Sequence, residues 1–247
     1  MEKVLEVVNI HRDIKGAKIG MWLFLFSELL FFGGLFLIYS VFRYSFPEDF
    51  VKGSRELNLT IGIINTIILL TSSLTVALSI AAFEKGKKSH SLFFIFLTIF
   101  FALLFLVNKY FEWSAKIKHG IYPGSDFLTS ISRGEASFFN LYYVITGIHG
   151  LHVLIGVIIF IVMFFIYLKE PRKKINLSGR ELKSLKGKSI LGIEINENVK
   201  EVKLDIRLIE KEEIVKKVDY TKLFNAGLYW HFVDIAWIFI FPLFYLI

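Results

Sequence analysis

Tyr229, Trp230, His231, Phe232, Val233 and Asp234 open a membrane-length apolar segment, Gly227 to Ile247. They set a histidine and a carboxylate three residues apart on one helix face. Either side chain costs roughly 2.5–3.5 kcal/mol near a bilayer centre, so such residues face protein or water rather than lipid. The habit recurs upstream: Glu28 lies near the midpoint of Gly20–Tyr39, and His149 and His152 share a face, i and i+3, within Phe138–Leu168. The chemistry open to them is proton handling, capture of a lipid headgroup, metal or haem ligation, or hydrogen bonding between helices.

Each has to be weighed against its neighbours. Glu28 sits among Phe24, Phe26, Phe31, Phe32, Gly33 and Gly34, where an ionised carboxylate is costly. It is expected either to clamp two helices as a neutral carboxyl or to serve as a proton-handling or lipid-headgroup site. Two histidines can ligate haem only from facing helices at one depth. His152 falls near the middle of its span, whereas His231 falls near the start of the last one, about 10 Å from its centre by helical rise. His90 and His119 fall at opposite surfaces. No Glu-x-x-His pair appears on two helices, as a di-iron bundle requires. The histidines are therefore read as interhelical hydrogen-bonding groups, with no catalytic residue and no metal ligand set.

Small and hydrogen-bonding side chains mark the close contacts. Asn65, Thr66, Thr71, Ser72, Ser73 and Thr75 run along the second span, and Gly147, Gly150 and Gly156 along the fourth. Such residues let helices approach and bond across their interface, at about 0.6 kcal/mol per bond. Glu112, next to Trp113, ends the third span at the outer surface, where a carboxylate costs little and an aromatic ring anchors.

The elements that position these residues are membrane helices. The chain is 55% hydrophobic and 17% aromatic, with a mean hydropathy of +0.59. Five apolar stretches reach spanning length: Ile19–Phe42, Leu59–Phe83, Leu92–Trp113, Phe138–Leu168 and Leu228–Ile247. About 20 helical residues cross a ~30 Å hydrocarbon layer, so the sequence predicts an all-α polytopic fold of five transmembrane helices. With the N-terminus in the cytoplasm, 22 of the 29 Lys and Arg fall on the inner side, which the positive-inside rule favours. The net charge of +7 then reflects topology rather than a nucleic-acid surface. The N-terminal residues lack a signal-peptide pattern, so the first helix is expected to be retained as a span. No cysteine is present, so this chain supplies no disulfide, thiolate copper centre or iron–sulfur ligand.

Residues 1–168 thus hold four spans, 169–222 a charged cytoplasmic insertion, and 223–247 the fifth span. The insertion carries 15 basic and 10 acidic side chains. Within it Val202, Leu204, Ile206 and Leu208 alternate with Lys203, Asp205 and Arg207, a period-two pattern. Paired with Ile190–Ile195 it predicts a small β element or an arm laid on a neighbouring subunit, the alternative being a flexible charged linker.

In order along the chain, GMWLFLFSELLFFGG (20–34), NTIILLTS (65–72), KYFEW (109–113), GIYPG (120–124), TGIHGLHVLIG (146–156) and YWHFVDIAWIF (229–239) resemble subunit III of the haem–copper terminal oxidases, the cytochrome c oxidase type first. The resemblance implies the five-helix form, which lacks the first two helices of longer members. It implies no redox cofactor on this chain, haem and copper being held by partner subunits, with subunit I as the main contact and subunit II receiving electrons. It also implies a non-catalytic role, steadying subunit I and the mouth of its proton-uptake route, and contact with membrane phospholipid. Glu28 falls on the family's buried glutamate, and His149, His152, Glu112, His231 and Asp234 on its other recurrent polar positions. Leu37, Val41 and Ile166 stand where lipid-binding members carry Trp, His and Arg, and the insertion at 169–222 is longer than the family's usual connection. The expected setting is aerobic respiration in a prokaryotic plasma membrane, with the C-terminus outside. The alternatives are subunit III of a quinol oxidase or a nitric-oxide-reductase-associated complex, or, in another class, an independent proton or ion transporter using Glu28, His152 and Asp234.

Overall fold

In the computed structural model residues 2–169 and 204–247 are described, with side chains placed over 14–168 and 220–247. Every regular element among them is a helix: α1 Glu2–Ser45, α2 Pro47–Arg55, α3 Leu59–Glu84, α4 Lys88–Lys118, α5 Asp126–Ser130, α6 Arg133–Lys169 and α7 Leu204–Tyr245. Five carry windows long and apolar enough to cross a membrane: Ile14–Ser45, Leu59–Glu84, Lys88–Lys118, Arg133–Leu168 and Tyr220–Tyr245. The chain is a multi-pass membrane protein.

Local chemistry sets the boundaries. Pro47 starts α2, where its missing N–H is no loss. The Asn58 side chain accepts from Ile61 N–H at 3.2 Å and caps α3. Gly86, at φ +71°, reverses the chain between α3 and α4 in a left-handed conformation that other residues rarely adopt. Ser125 and Ser132 accept from Leu128 N–H and Glu135 N–H, at 3.3 and 3.2 Å, at the starts of α5 and α6.

The helices run longer than the apolar stretches, since helices continue past the hydrocarbon. The largest change is at α7, which begins at Leu204. Residues 204–208, expected as a strand, are therefore helical. The period-two run, 202–208, is only seven residues long, and Glu210, Lys211, Glu212 and Glu213 follow it as good helix formers. The rest of the expected β element, 190–203, lies outside the described residues.

Four helices close a ring: α3 packs on α4, α4 on α6, α6 on α7 and α7 on α3, while α1 lies outside, against α6 and α7. Half of the α7 window is buried, against 11% for α1. The core is aromatic, with Trp230, Trp237, Tyr142, Phe105 and Phe160 fully buried. Gly156 lets α6 and α7 pack closely: a Cβ there would stand 2.5 Å from the Trp230 ring. At Gly147 it would stand 3.2 Å from Trp113. At Gly150, expected to serve the same purpose, a Cβ would meet nothing within 4 Å among the described residues.

Candidate functional site

Three polar clusters occupy the bundle. The first joins α1 to α6. His152 Nε2 lies 3.1 Å from Glu28 Oε2, and its Nδ1 lies 2.8 Å from the Ile148 carbonyl, so both ring nitrogens are engaged. The ring packs edge-on to Phe32 and stacks near Tyr229, whose hydroxyl donates to the His152 carbonyl at 2.9 Å. A cleft of about 560 Å³ opens beside this pair between α1, α6 and α7. Met21, Phe24, Ile155, Ile159 and Met163 make its walls apolar, and Glu28, His152, Asn225 and Lys222 supply its polar points.

The second cluster joins α3 to α7. Ser73 Oγ lies 2.7 Å from His231 Nδ1. His231 stands near the middle of the span Tyr220–Tyr245, not near its start. The segment 220–227 includes Lys222 and Asn225, which lower its hydropathy and conceal two further turns of spanning helix. His152 and His231 therefore do share a depth. What separates them is direction, since one ring is bound to Glu28 and the other to Ser73. Asp234 lies one turn from His231 and is 4% exposed, its carboxyl facing the same Ser73 hydroxyl that lies against His231. His149 is fully buried, edge-on to Phe105 and against Trp237 at 5.2 Å between ring centroids. Neither of its nitrogens has a partner among the described residues, so the expected interhelical bond is absent at His149 and present at His152.

The α3 hydroxyls do bond across the interface. Trp230 Nε1 donates to Ser72 Oγ at 2.9 Å and Trp237 Nε1 to Thr66 Oγ1 at 3.0 Å. Thr75 pairs with Thr98 at 2.8 Å and Ser79 with Ser91 at 3.0 Å. Asn108 Nδ2 donates to Asn65 Oδ1 at 3.0 Å, leaving the Asn65 Nδ2 without a partner among the described residues.

The third cluster corrects the reading of Glu112. Far from meeting water, Glu112 is 4% exposed, because α4 continues to Lys118, roughly 9 Å further by helical rise. Lys109 Nζ donates to Glu112 Oε2 at 3.0 Å and to the hydroxyls of Tyr142 and Tyr245 at 3.1 Å each. Both hydroxyls donate in turn to Glu112 Oε1, at 2.9 and 2.6 Å. The ammonium also sits 4.9 Å from the Tyr142 ring and 5.4 Å from the Trp237 ring, within cation–π range. Four residues from three helices thus satisfy one another's charge and hydrogen bonds. The sequence signal for this was the i, i+3 pair Lys109 and Glu112; the two tyrosines come from remote helices and gave no local sign.

Among the described residues, no three His, Asp or Glu side chains stand together as metal ligands. Haem ligation does not fit His152 either, because both its nitrogens are engaged within the chain.

A sequence model of the family described as cytochrome c oxidase subunit III matches residues 6–181. The chain belongs to this family. It is 28% identical over 232 residues to the heme-copper oxidase subunit I+III of Aeropyrum pernix, with 92% of this chain aligned; it spans 22% of that longer protein. It is 27% identical over 231 residues to the probable cytochrome c oxidase subunit 3 of Nocardia farcinica, covering 94% of this chain and 88% of that protein. It is 25% identical over 230 residues to the probable quinol oxidase subunit 3 of Staphylococcus haemolyticus, covering 93% and 88%.

Proposed function

We propose that this subunit III serves as a non-catalytic, stabilising component of a proton-pumping cytochrome c oxidase in a prokaryotic plasma membrane. Its main contact is subunit I, which holds haem and copper, and its N-terminus lies in the cytoplasm. The observation that carries this reading is how the intramembrane polar groups are used. Glu28, His152, Ser73, His231, Lys109 and Glu112 are bonded from helix to helix, an arrangement that holds a bundle together. A relative in which the subunits I and III are one protein supports proximity to subunit I.

Within this reading the cleft beside Glu28 suits a phospholipid. Its apolar walls match acyl chains, and Glu28 and Lys222 offer opposite charges to a headgroup. A quinol oxidase is the second reading, favoured by the staphylococcal relative; the electron donor is set by another subunit. Purification of the tagged chain in mild detergent is the test. It is expected to bring down a subunit with a haem–copper spectrum. A chain that purifies alone and conducts protons in liposomes would be a transporter instead.

A further inference from the structure

Ser73, His231 and Asp234 stand at mid-span between α3 and α7, apart from the Glu28–His152 pair and the Lys109 network. Ser73 Oγ lies 2.7 Å from His231 Nδ1, and the Asp234 carboxyl, one turn along α7, faces the same hydroxyl. A serine hydroxyl has one hydrogen to donate and lone pairs to accept with. It stands here between two acceptors and serves one at a time. If it donates to Nδ1, the carboxyl has to bring a proton of its own and donate to Oγ. If it donates to the carboxylate, Nδ1 has to carry the imidazole hydrogen and donate to Oγ. The charge of Asp234 and the tautomer of His231 are thus tied through one hydroxyl. Cost chooses between the two arrangements. The second buries a carboxylate behind a single hydroxyl, and the ion pairs among the described residues all lie elsewhere, at Asp49, Glu112 and Glu28. A buried ion without a counter-charge costs far more than a neutral, hydrogen-bonded carboxyl. The first arrangement is the resting one.

We infer that these three residues form a proton relay, in which the buried Asp234 carboxyl gains and loses its proton through Ser73 and the His231 imidazole. At rest Asp234 donates to Ser73 Oγ, Ser73 donates to Nδ1, and the imidazole hydrogen sits on Nε2. Both Asp234 oxygens are sealed, whereas Nε2 belongs to a half-buried ring and has no partner among the described residues. Nε2 is therefore the outer end of the path. A base there, water or a side chain, takes the Nε2 hydrogen and leaves its electron pair on the ring. Nδ1 then takes the Ser73 hydrogen, and Ser73 Oγ takes the Asp234 hydrogen. The bonds broken are N–H at Nε2 and O–H at Ser73 and Asp234; those formed are to the base, at Nδ1 and at Ser73. The negative charge ends on Asp234 and the histidine ends neutral. Protonation at Nε2 reverses every step. The Lys109 network has no such freedom, because its ammonium and both tyrosine hydroxyls already converge on Glu112.

Two spectroscopic readouts on the full chain in lipid test the relay, and neither depends on the oxidase reading. The infrared carbonyl stretch of a protonated carboxyl, assigned by its loss in Asp234→Asn, reports Asp234. Its shift in D2O times the arrival of deuterium. Solid-state NMR of isotope-labelled histidine, assigned by His231→Gln, reports the tautomer. Expected are a protonated Asp234 and hydrogen on Nε2 of His231, with Nδ1 bare. Ser73→Ala cuts the path and should slow deuterium exchange at Asp234 at least about tenfold, equivalent to one net hydrogen bond. Ser73→Thr restores the hydroxyl and should restore the rate. Thr75→Val removes a hydroxyl of the same helix outside the trio and should leave the rate unchanged. An ionised Asp234 at rest, or hydrogen on Nδ1 beside a protonated Asp234, would overturn the inference. Exchange in Ser73→Ala as fast as in the unaltered chain would do the same.

Discussion

Two carboxylates in this bundle each meet a nitrogen base, and their surroundings differ. Glu112 is sealed by Lys109, Tyr142 and Tyr245, with both its oxygens and the ammonium fully used. Glu28 makes one side-chain hydrogen bond among the described residues, to His152, on the loosely packed helix α1 and beside an open cleft. The difference is between a lock and an accessible site. A complete network in low dielectric rigidifies what it joins, here α4, α6 and the end of α7. A single pair at a cleft can exchange its partner for a ligand.

The comparison breaks first at Lys109. Lys109→Met leaves Glu112 buried without its cation, and removing one member of a buried pair costs about 3–5 kcal/mol. The midpoint of SDS-induced unfolding in mixed micelles should fall accordingly. The double variant Lys109→Met, Glu112→Leu should lose less than the single one, because no charge is left stranded. Equal losses would mean that the two groups do not act as a unit.

Gly156→Ala comes next. The added methyl meets the Trp230 ring at 2.5 Å, and overpacking of this kind costs about 1–3 kcal/mol. Gly150→Ala, with open space around it, should be neutral or up to about 1 kcal/mol stabilising, since alanine is the better helix former. Similar losses at both would contradict the packing described at Gly156.

At Glu28 the effect on stability should be smaller. Glu28→Gln keeps a hydrogen bond to His152 and should cost less than about 1.5 kcal/mol. Accessibility sharpens the contrast: a hydrophobic carbodiimide should modify Glu28 through the cleft and spare the sealed Glu112 and Asp234, as read by peptide mass mapping. Modification confined to Glu112 or Asp234 would reverse the assignment. The smallest effect is expected for Thr75→Val, which breaks the bond to Thr98 at a cost of about 0.6 kcal/mol.

Much of this fold was legible in the sequence. Five apolar stretches are five spans, because the bilayer demands long runs of apolar residues and closed backbone hydrogen bonding. Less legible were the helix ends, since polar turns such as 220–227 continue a helix without announcing it. That misjudged start put His231 too near the surface. Within the strand expected at 202–208, residues 204–208 are helical for a related reason, a short alternation being outweighed by the helix that continues beyond it. Of the site, Glu28 and His152 could be named from their depth alone, whereas their pairing could not. Glu112 looked like a surface residue beside Trp113 until Tyr142 and Tyr245, distant in sequence, closed over it. His149 shows the opposite error: a polar residue expected to bond, yet packed between Phe105 and Trp237.

The central claim is that this chain stabilises an oxidase and does not perform its chemistry. The most direct measurement is to purify the complex from cells lacking this subunit, record its haem and copper spectra, and follow O2 consumption through successive turnovers. Intact spectra and near-normal initial rates, with activity that decays faster than in the full complex, are the predicted result. Loss of haem or copper from the remaining subunits, or durability equal to that of the full complex, would contradict it.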